Sequence, residues 1–161
     1  MKEIIEKLSS YNIFNYLLPG IVFSILTSKF TSTNLIFDNL IIGAFLYYFI
    51  GLVISRVGSV IIEPLLKRIK FLKFADYKDF VSVSKTDNKL EILSEANNMY
   101  RTFVSMFSIL FLIIGFQRLS EFFIIFKNNQ DLILLAVLFV LFLFSYRKQT
   151  DYITKRIKAS K

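Results

Sequence analysis

Four long apolar stretches, separated by polar segments, dominate the pattern of this chain of 161 residues. They cover roughly residues 14–27, 40–55, 102–116 and 132–146, and flanking residues extend each of them. A helix of about 20 apolar residues crosses a hydrocarbon core of ~30 Å. Lipid offers the backbone no hydrogen bonds, and a helix satisfies its own. The pattern therefore predicts an all-α integral membrane protein with four transmembrane helices.

We expect seven segments along the chain. They are an N-terminal amphipathic cytoplasmic helix at 1–12, the first span at 13–30, the second span at 36–58, a cytoplasmic basic helical region at 59–101, the third span with an outer interfacial segment at 102–126, the fourth span at 131–147 and a basic cytoplasmic tail at 148–161. The second and third spans are expected to continue as a helical hairpin, joined between residues 74 and 86.

Lysine and arginine collect on one side of these spans. Seventeen of the 20 basic residues lie before the first span, between the second and third spans, or after the fourth. Because cytoplasmic loops carry the excess of Lys and Arg, both termini and the central region are predicted to be cytoplasmic. Residues 1–28 have one alternative, a cleaved signal peptide, but no small-x-small cleavage site follows a clean apolar run. We expect the first helix to be retained.

The composition leaves little room for catalysis. The chain has no cysteine and no histidine, and hence no thiol nucleophile and no ordinary zinc or haem ligands. Phosphate-binding and nucleophile-elbow glycine motifs do not occur. Asp87, Glu91 and Glu95 line one helix face, which is typical of a solvated surface with Asp87 as the helix cap. A lipid-modifying enzyme that uses Glu91 and Glu95 is the least favoured function, and we predict a non-enzyme with no catalytic residue, metal site or cofactor.

The first span contains a predicted irregularity. Pro19 removes a backbone donor and Gly20 adds flexibility, so we expect a kink or break near Pro19. In lipid, a break persists only where protein or water satisfies the freed carbonyl. Asn15 also requires a polar partner. Asn15, Pro19 and Gly20 are therefore candidates for a packed or pore-lining face.

The second span carries a stripe of small residues, Gly43, Gly51, Ser55 and Ser59, at intervals of four or eight positions. Small side chains on one helix face let another backbone approach closely. We predict that this stripe is a helix-packing surface through which copies of the chain associate.

A candidate ligand surface follows the second span. Its basic residues are Lys67, Arg68, Lys70, Lys73 and Arg101. The pair Glu63-Pro64 restarts a helix there, predicted to continue to about Phe74 as a basic amphipathic helix on the membrane surface or in the hairpin. Basic residues beside a membrane ordinarily contact anionic headgroups, so the net charge of +8 does not predict binding to genomic DNA. Arg101 either snorkels to headgroups or is paired inside the bundle, and snorkelling is favoured.

Three sequence segments carry a family resemblance. They are residues 11–20 (Tyr-Asn-Ile-Phe-Asn-Tyr-Leu-Leu-Pro-Gly), residues 51–59 leading into Ile62-Glu63-Pro64, and residues 97–102 (Asn-Asn-Met-Tyr-Arg-Thr). In this order and with four spans, the chain resembles small bacterial membrane effectors of anti-phage operons, including that of the Hailong system. The resemblance implies an oligomeric effector of the inner membrane that opens to ions when a signal, such as a nucleotide oligomer on the basic surface, changes. It assigns no functional residue.

Together these features favour an oligomeric membrane effector that forms or gates an ion-permeable pore, depolarises the inner membrane and responds to a cytoplasmic anionic, nucleotide-type ligand. The expected partners are the lipid bilayer, further copies of the chain, and a nucleotide or oligonucleotide signal or a soluble protein of the same operon. The alternative is a non-enzymatic membrane anchor for a soluble cytoplasmic partner. The two hypotheses differ in whether expression changes membrane permeability.

Overall fold

The computed structural model describes residues 12–87, 89–120 and 130–160. Its helices are α1 (Leu18–Phe30), preceded by a π-helical turn (Ile13–Leu17), α2 (Leu40–Val57), followed by a second π-helical turn (Gly58–Ile62), α3 (Glu63–Arg68), α4 (Tyr77–Val83), α5 (Lys89–Ser120) and α6 (Gln130–Ser160). The expected N-terminal amphipathic helix, apart from Asn12, and the outer interfacial segment after Ser120 lie outside the described residues.

Four helices are long and apolar enough to cross a membrane. They are Ile13–Phe30, Leu40–Arg68, Lys89–Arg118 and Ile133–Ala159. The prediction of an all-helical fold with four such helices is confirmed for the described residues. Burial is inverted relative to a soluble protein. Among all described residues, nine polar or charged residues are buried against six hydrophobic ones, and many large apolar side chains are exposed. Such a polar interior and apolar exterior are typical of a helix bundle in lipid.

The helices run up and down, with α1, α2 and α5 packed together and α6 at the side. The Thr102 hydroxyl bonds Asn15 at one end of this three-helix unit, and Gln117 bonds the backbone of Ser32 at the other. Helix α6 packs along α2, where the rings of Phe49 and Phe142 stack 6.4 Å apart. Of the most apolar 18 residues of α6, only 11% are buried, against 33% in the first span. Helix α6 is therefore the most peripheral span.

Each of the chain's two prolines follows a π-helical turn. Pro19 comes directly after the turn Ile13–Leu17 and Leu18, and Pro64 has the same position after Gly58–Ile62. A proline ring clashes with the carbonyl four residues earlier, and a wider turn relieves that clash without ending the helix. The expected break at Pro19 is therefore absent, and a π-helical turn precedes the proline instead. The expected restart of a helix at Glu63-Pro64 does not occur. Helix α2, the second π-helical turn and α3 form one continuous helix, Leu40–Arg68.

The predicted amphipathic helix to Phe74 is wrong. Helix α3 ends at Arg68, and Lys70 has a φ of 62°, a left-handed backbone that a helix cannot continue. The next helix, α4, packs against α6 through Tyr77 and Tyr152, whose rings are 6.2 Å apart.

Helix α5 begins where its cap was predicted. The carboxylate of Asp87 accepts a 2.9 Å hydrogen bond from the backbone of Lys89. From there α5 runs to Ser120 without interruption, so one helix carries both the polar residues that follow Asp87 and the third span.

Candidate functional site

Two glycines set the distance between α1 and α2. A Cβ atom at Gly51 would overlap the carbonyl of Tyr16, and one at Gly20 would overlap the carbonyl of Tyr47. Because each conflict is with backbone, no side-chain rotation relieves it. The two spans therefore touch backbone to backbone, which leaves room only for small side chains between them.

A group of buried hydroxyls and one amide lies beside this contact. The Thr102 hydroxyl on α5 donates to Asn15 Oδ1 at 2.9 Å, and its oxygen lies 3.3 Å from that of Ser55 on α2. One turn along α5, the Ser105 hydroxyl donates to the carbonyl of Ile54 at 2.8 Å. The π-helical turn that precedes Pro19 carries Asn15 into this position, so the turn, α2 and α5 are joined by polar contacts.

Further along α1, Ser24 and Thr27 turn their hydroxyls inward. Both are almost fully buried, with exposures of 0% and 1%. We call Asn15, Ser24, Thr27, Ser55, Thr102 and Ser105 the polar core. Asn15 and Thr27 are about 18 Å apart along the axis at 1.5 Å per residue. The polar core therefore extends over much of a ~30 Å hydrocarbon layer.

Three buried atoms of the polar core have no hydrogen-bond partner among the described residues: Asn15 Nδ2, Ser24 Oγ and Thr27 Oγ1. More than about 90% of buried polar groups in proteins are hydrogen-bonded, and water supplies many of the partners. An unsatisfied group in an apolar medium is costly. These three atoms would each need a hydrogen-bond partner from outside the described residues to be satisfied.

A buried apolar cluster lies beside the polar core. Phe23, Ile54, Met106 and Leu110 form a buried cluster. By sequence position, Phe23 precedes Ser24 on α1, and Met106 follows Ser105 on α5. Apolar and polar side chains are therefore neighbours along the interior of α1 and α5, and we call the four apolar residues the apolar layer.

A buried carboxylate lies at the end of the bundle nearest Thr102. Glu63 is 5% exposed. Its Oε1 is 2.9 Å from Lys67 Nζ and 3.7 Å from Lys148 Nζ, and its Oε2 is 2.9 Å from Arg101 Nη1. We call these four residues the Glu63 cluster. The cluster joins α3, α5 and α6 through one side chain.

The Glu63 cluster is not neutral. Three cations surround one carboxylate, so its formal charge is +2. Lys148 also donates to the carbonyl of Ser59 in the second π-helical turn, and Lys67 lies 3.9 Å from the centroid of the Phe74 ring. These contacts hold the cations in place, but they do not cancel the excess charge.

The predicted basic surface is only partly assembled. Lys67 and Arg101 meet at Glu63, whereas Arg68, Lys70 and Lys73 are exposed outside the cluster. The favoured expectation for Arg101, snorkelling to headgroups, is wrong, because its guanidinium pairs with Glu63 across 38 positions of sequence.

The small-residue stripe is used within one chain. Gly51 lies against Tyr16, and Ser55 lies beside Thr102. The carbonyl of Ser59 accepts from Lys148. A Cβ atom added at Gly43 would make only ordinary contacts, the nearest at 3.4 Å. A contact between copies at Gly51 and Ser55 stays a prediction, and it would require this packing to open.

Sequence reasoning assigned no site role to Glu63, Lys148 or Thr102. One signal existed for Glu63: it is the only acidic residue in Leu40–Arg68, and Lys67 follows it at the spacing of a helical ion pair. Lys148 and Thr102 reach their partners from other helices, at separations of 85 and 87 positions. No local pattern reports such contacts.

Comparisons with family models, with curated proteins and with solved structures gave no match. Function must therefore be argued from the polar core and the Glu63 cluster themselves.

Proposed function

We propose that this protein is an oligomeric membrane effector that makes the inner membrane permeable to ions through its polar core. The observation that supports this function best is the set of unpartnered buried atoms of Asn15, Ser24 and Thr27. A span that served only as an anchor would have no use for such costly groups in its interior. A path that fills with water would satisfy all three.

In this proposal, the arrangement of the described residues is the closed state of the path. Hydrophobic constrictions exclude water and ions by dewetting, and the layer of Phe23, Ile54, Met106 and Leu110 supplies such a constriction. Opening requires α1 to move away from α5, which would hydrate the polar groups beside the layer.

The Glu63 cluster is suited to control this movement. It joins α3, α5 and α6 at the end of the polar core. A cytoplasmic anionic ligand that competed with Glu63 for Arg101 and Lys148 would weaken those links. The ligand would be attracted by the positive charge of the cluster and by its partners Arg101 and Lys148.

Copies of the chain would associate through faces other than the stripe at Gly51 and Ser55, because that stripe is filled within one chain. The resemblance to anti-phage effectors supplies the biological setting of the proposal.

The test is membrane potential in bacteria that express the full chain at controlled level, alone and with its operon neighbours, measured with a potential-sensitive dye. We expect depolarisation by the natural chain. Thr102→Val keeps the side-chain shape but removes the hydroxyl that bonds Asn15 across the bundle. The closed path loses that hydrogen bond, so the rate of depolarisation should rise about tenfold, as a loss of roughly 1.4 kcal/mol from the closed state would cause.

Ser108→Ala is the matched control on the same helix, because the Ser108 hydroxyl donates only to the carbonyl of Val104 within α5. This variant should depolarise as the natural chain does at equal expression. An unchanged potential with the natural chain under every condition would reject the pore and favour the anchor for a soluble partner.

A further inference from the structure

A cleft lies between the second π-helical turn and α6. It has a volume of about 190 Å³ and is lined by Val60, Phe144, Arg147, Lys148 and Asp151. A second hollow of about 390 Å³ adjoins it on α6 and shares Phe144, Arg147 and Asp151. Together they form one surface that continues from the bundle onto the outer face of α6.

This surface changes polarity within one helical turn. Leu143 and Phe144 end the apolar part of α6, and Arg147 and Lys148 begin its basic part. Such a change marks the level where hydrocarbon gives way to headgroups, and basic side chains at this depth reach toward phosphate. The cleft thus offers an apolar wall and a cationic wall at the level where a phospholipid has an acyl chain and a headgroup.

The charge of the cleft favours an anion. Arg147 is exposed and takes part in none of the ion pairs among the described residues. Lys148 belongs to the Glu63 cluster, which already has more cations than carboxylates. Arg101 Nε, in the same cluster, is buried without a partner among the described residues. A phosphate beside Lys148 would compensate this excess.

The carboxylate of Asp151 limits the charge of an anion that can bind in the cleft. Its carboxylate shares the cleft with Arg147 and Lys148, so two cations face one fixed negative charge. A group with one negative charge, such as a phosphodiester, fits this balance better than a di- or triphosphate, which Asp151 would repel.

We infer that the cleft binds one anionic phospholipid, with the phosphodiester held by Arg147 and Lys148 and an acyl chain against Val60 and Phe144. This site needs no ion conduction and therefore goes beyond the proposed function. Because Lys148 also contacts Glu63 and Ser59, a bound lipid would stabilise α6 against the second π-helical turn.

The test is native mass spectrometry of the full chain, purified in mild detergent and mixed with phosphatidylglycerol or phosphatidylcholine of the same acyl chains. We expect one phosphatidylglycerol to be retained preferentially. Arg147→Gln should weaken its retention about fivefold, the effect of one basic residue beside an anionic headgroup. Arg147→Lys should restore most of it, because the charge is kept.

Lys155→Gln is the matched control, since it removes one exposed charge from the same helix outside the cleft. Equal losses in Lys155→Gln and Arg147→Gln, or equal retention of the two lipids, would overturn the site. Displacement of phosphatidylglycerol by millimolar inorganic phosphate or by the chain-free glycerophosphate headgroup would also overturn it, because the anion would then come from solution. None of these outcomes depends on membrane permeability, so failure here is separate from failure of the pore.

Discussion

At the scale of single residues, Glu63 is the side chain on which most long-range contacts depend. It is buried, and it pairs with Lys67, Arg101 and Lys148 from three helices. The stability gained by forming such a cluster differs from the stability lost when one of its members is removed. Forming a buried ion pair gains little over apolar packing, whereas removal of one partner leaves the others buried and uncompensated.

Glu63→Gln should therefore destabilise the fold by about 3 kcal/mol, because Arg101 and Lys148 lose their carboxylate. Lys67 contributes less, since 41% of its side chain is exposed and solvent screens it. The measurement is the temperature at which half of the detergent-solubilised protein loses its monodisperse elution peak.

Glu91→Gln, an exposed carboxylate on α5, is the control and should change stability by less than about 0.5 kcal/mol. Adding Arg101→Gln to Glu63→Gln should recover part of the loss, because one uncompensated cation is removed. No difference between the Glu63 and Glu91 variants would mean that the cluster is not formed in the membrane.

At the scale of elements, glycine and proline decide how the spans pack. The prolines widen the turns before them, and this places Asn15 and Glu63 where α5 can reach them. The glycines decide the approach of α1 to α2. A Cβ atom added at Gly58 would lie 3.2 Å from the carbonyl oxygen of Arg101, so the second π-helical turn and α5 also approach closely at the level of the Glu63 cluster.

Gly51→Ala should be strongly destabilising, because its Cβ would overlap the backbone of Tyr16 and the two spans would have to separate. Gly115→Ala is the matched control, since a Cβ at that position has no other described element of the chain within 4 Å. In α5 it should leave stability unchanged or raise it by up to about 1 kcal/mol, as alanine is the better helix former. The same elution assay distinguishes the two.

If Gly51→Ala were as stable as Gly115→Ala, the backbone contact of α1 with α2 would not exist. Larger substitutions at Gly51, such as leucine, would disturb this internal contact and therefore report on folding of one chain before they report on association of copies.

At the scale of the whole molecule, the two ends of the bundle differ in charge. The Glu63 cluster and the exposed Arg68, Lys70 and Lys73 lie at one end, and the loop between α1 and α2 lies at the other with Gln117. The asymmetry of basic residues predicts that the first of these ends faces the cytoplasm.

Cysteine labelling tests that orientation directly, because the chain has no cysteine of its own. Asp38→Cys lies in the loop between α1 and α2, and Lys85→Cys lies in the turn after α4; both positions are exposed. A membrane-impermeant maleimide should label Asp38→Cys in spheroplasts and Lys85→Cys only after permeabilisation. The reverse pattern, or labelling of both without permeabilisation, would contradict the topology.

Much of the fold was predictable from sequence, and little of the site. Helix α5 and its cap at Asp87 follow from local pattern, and so does the irregularity at Pro19. The end of α3 at Arg68 was not predictable. Apolar and basic residues continue to alternate as far as Phe74, whereas the backbone at Lys70 is left-handed. Among the candidate residues, Asn15 was expected to need a polar partner, but its partner Thr102 could not be named.

The sequence by itself determined the number of helices able to span a membrane and the end of the bundle that carries the basic residues, because hydrophobic length and charge are properties of contiguous segments. Only the tertiary structure decided which polar groups meet: Thr102 with Asn15, and Glu63 with Arg101 and Lys148. Those contacts join residues 38 or more positions apart. They depend on the rotation and approach of whole helices, set by glycine contacts and π-helical turns, and no short segment encodes that geometry.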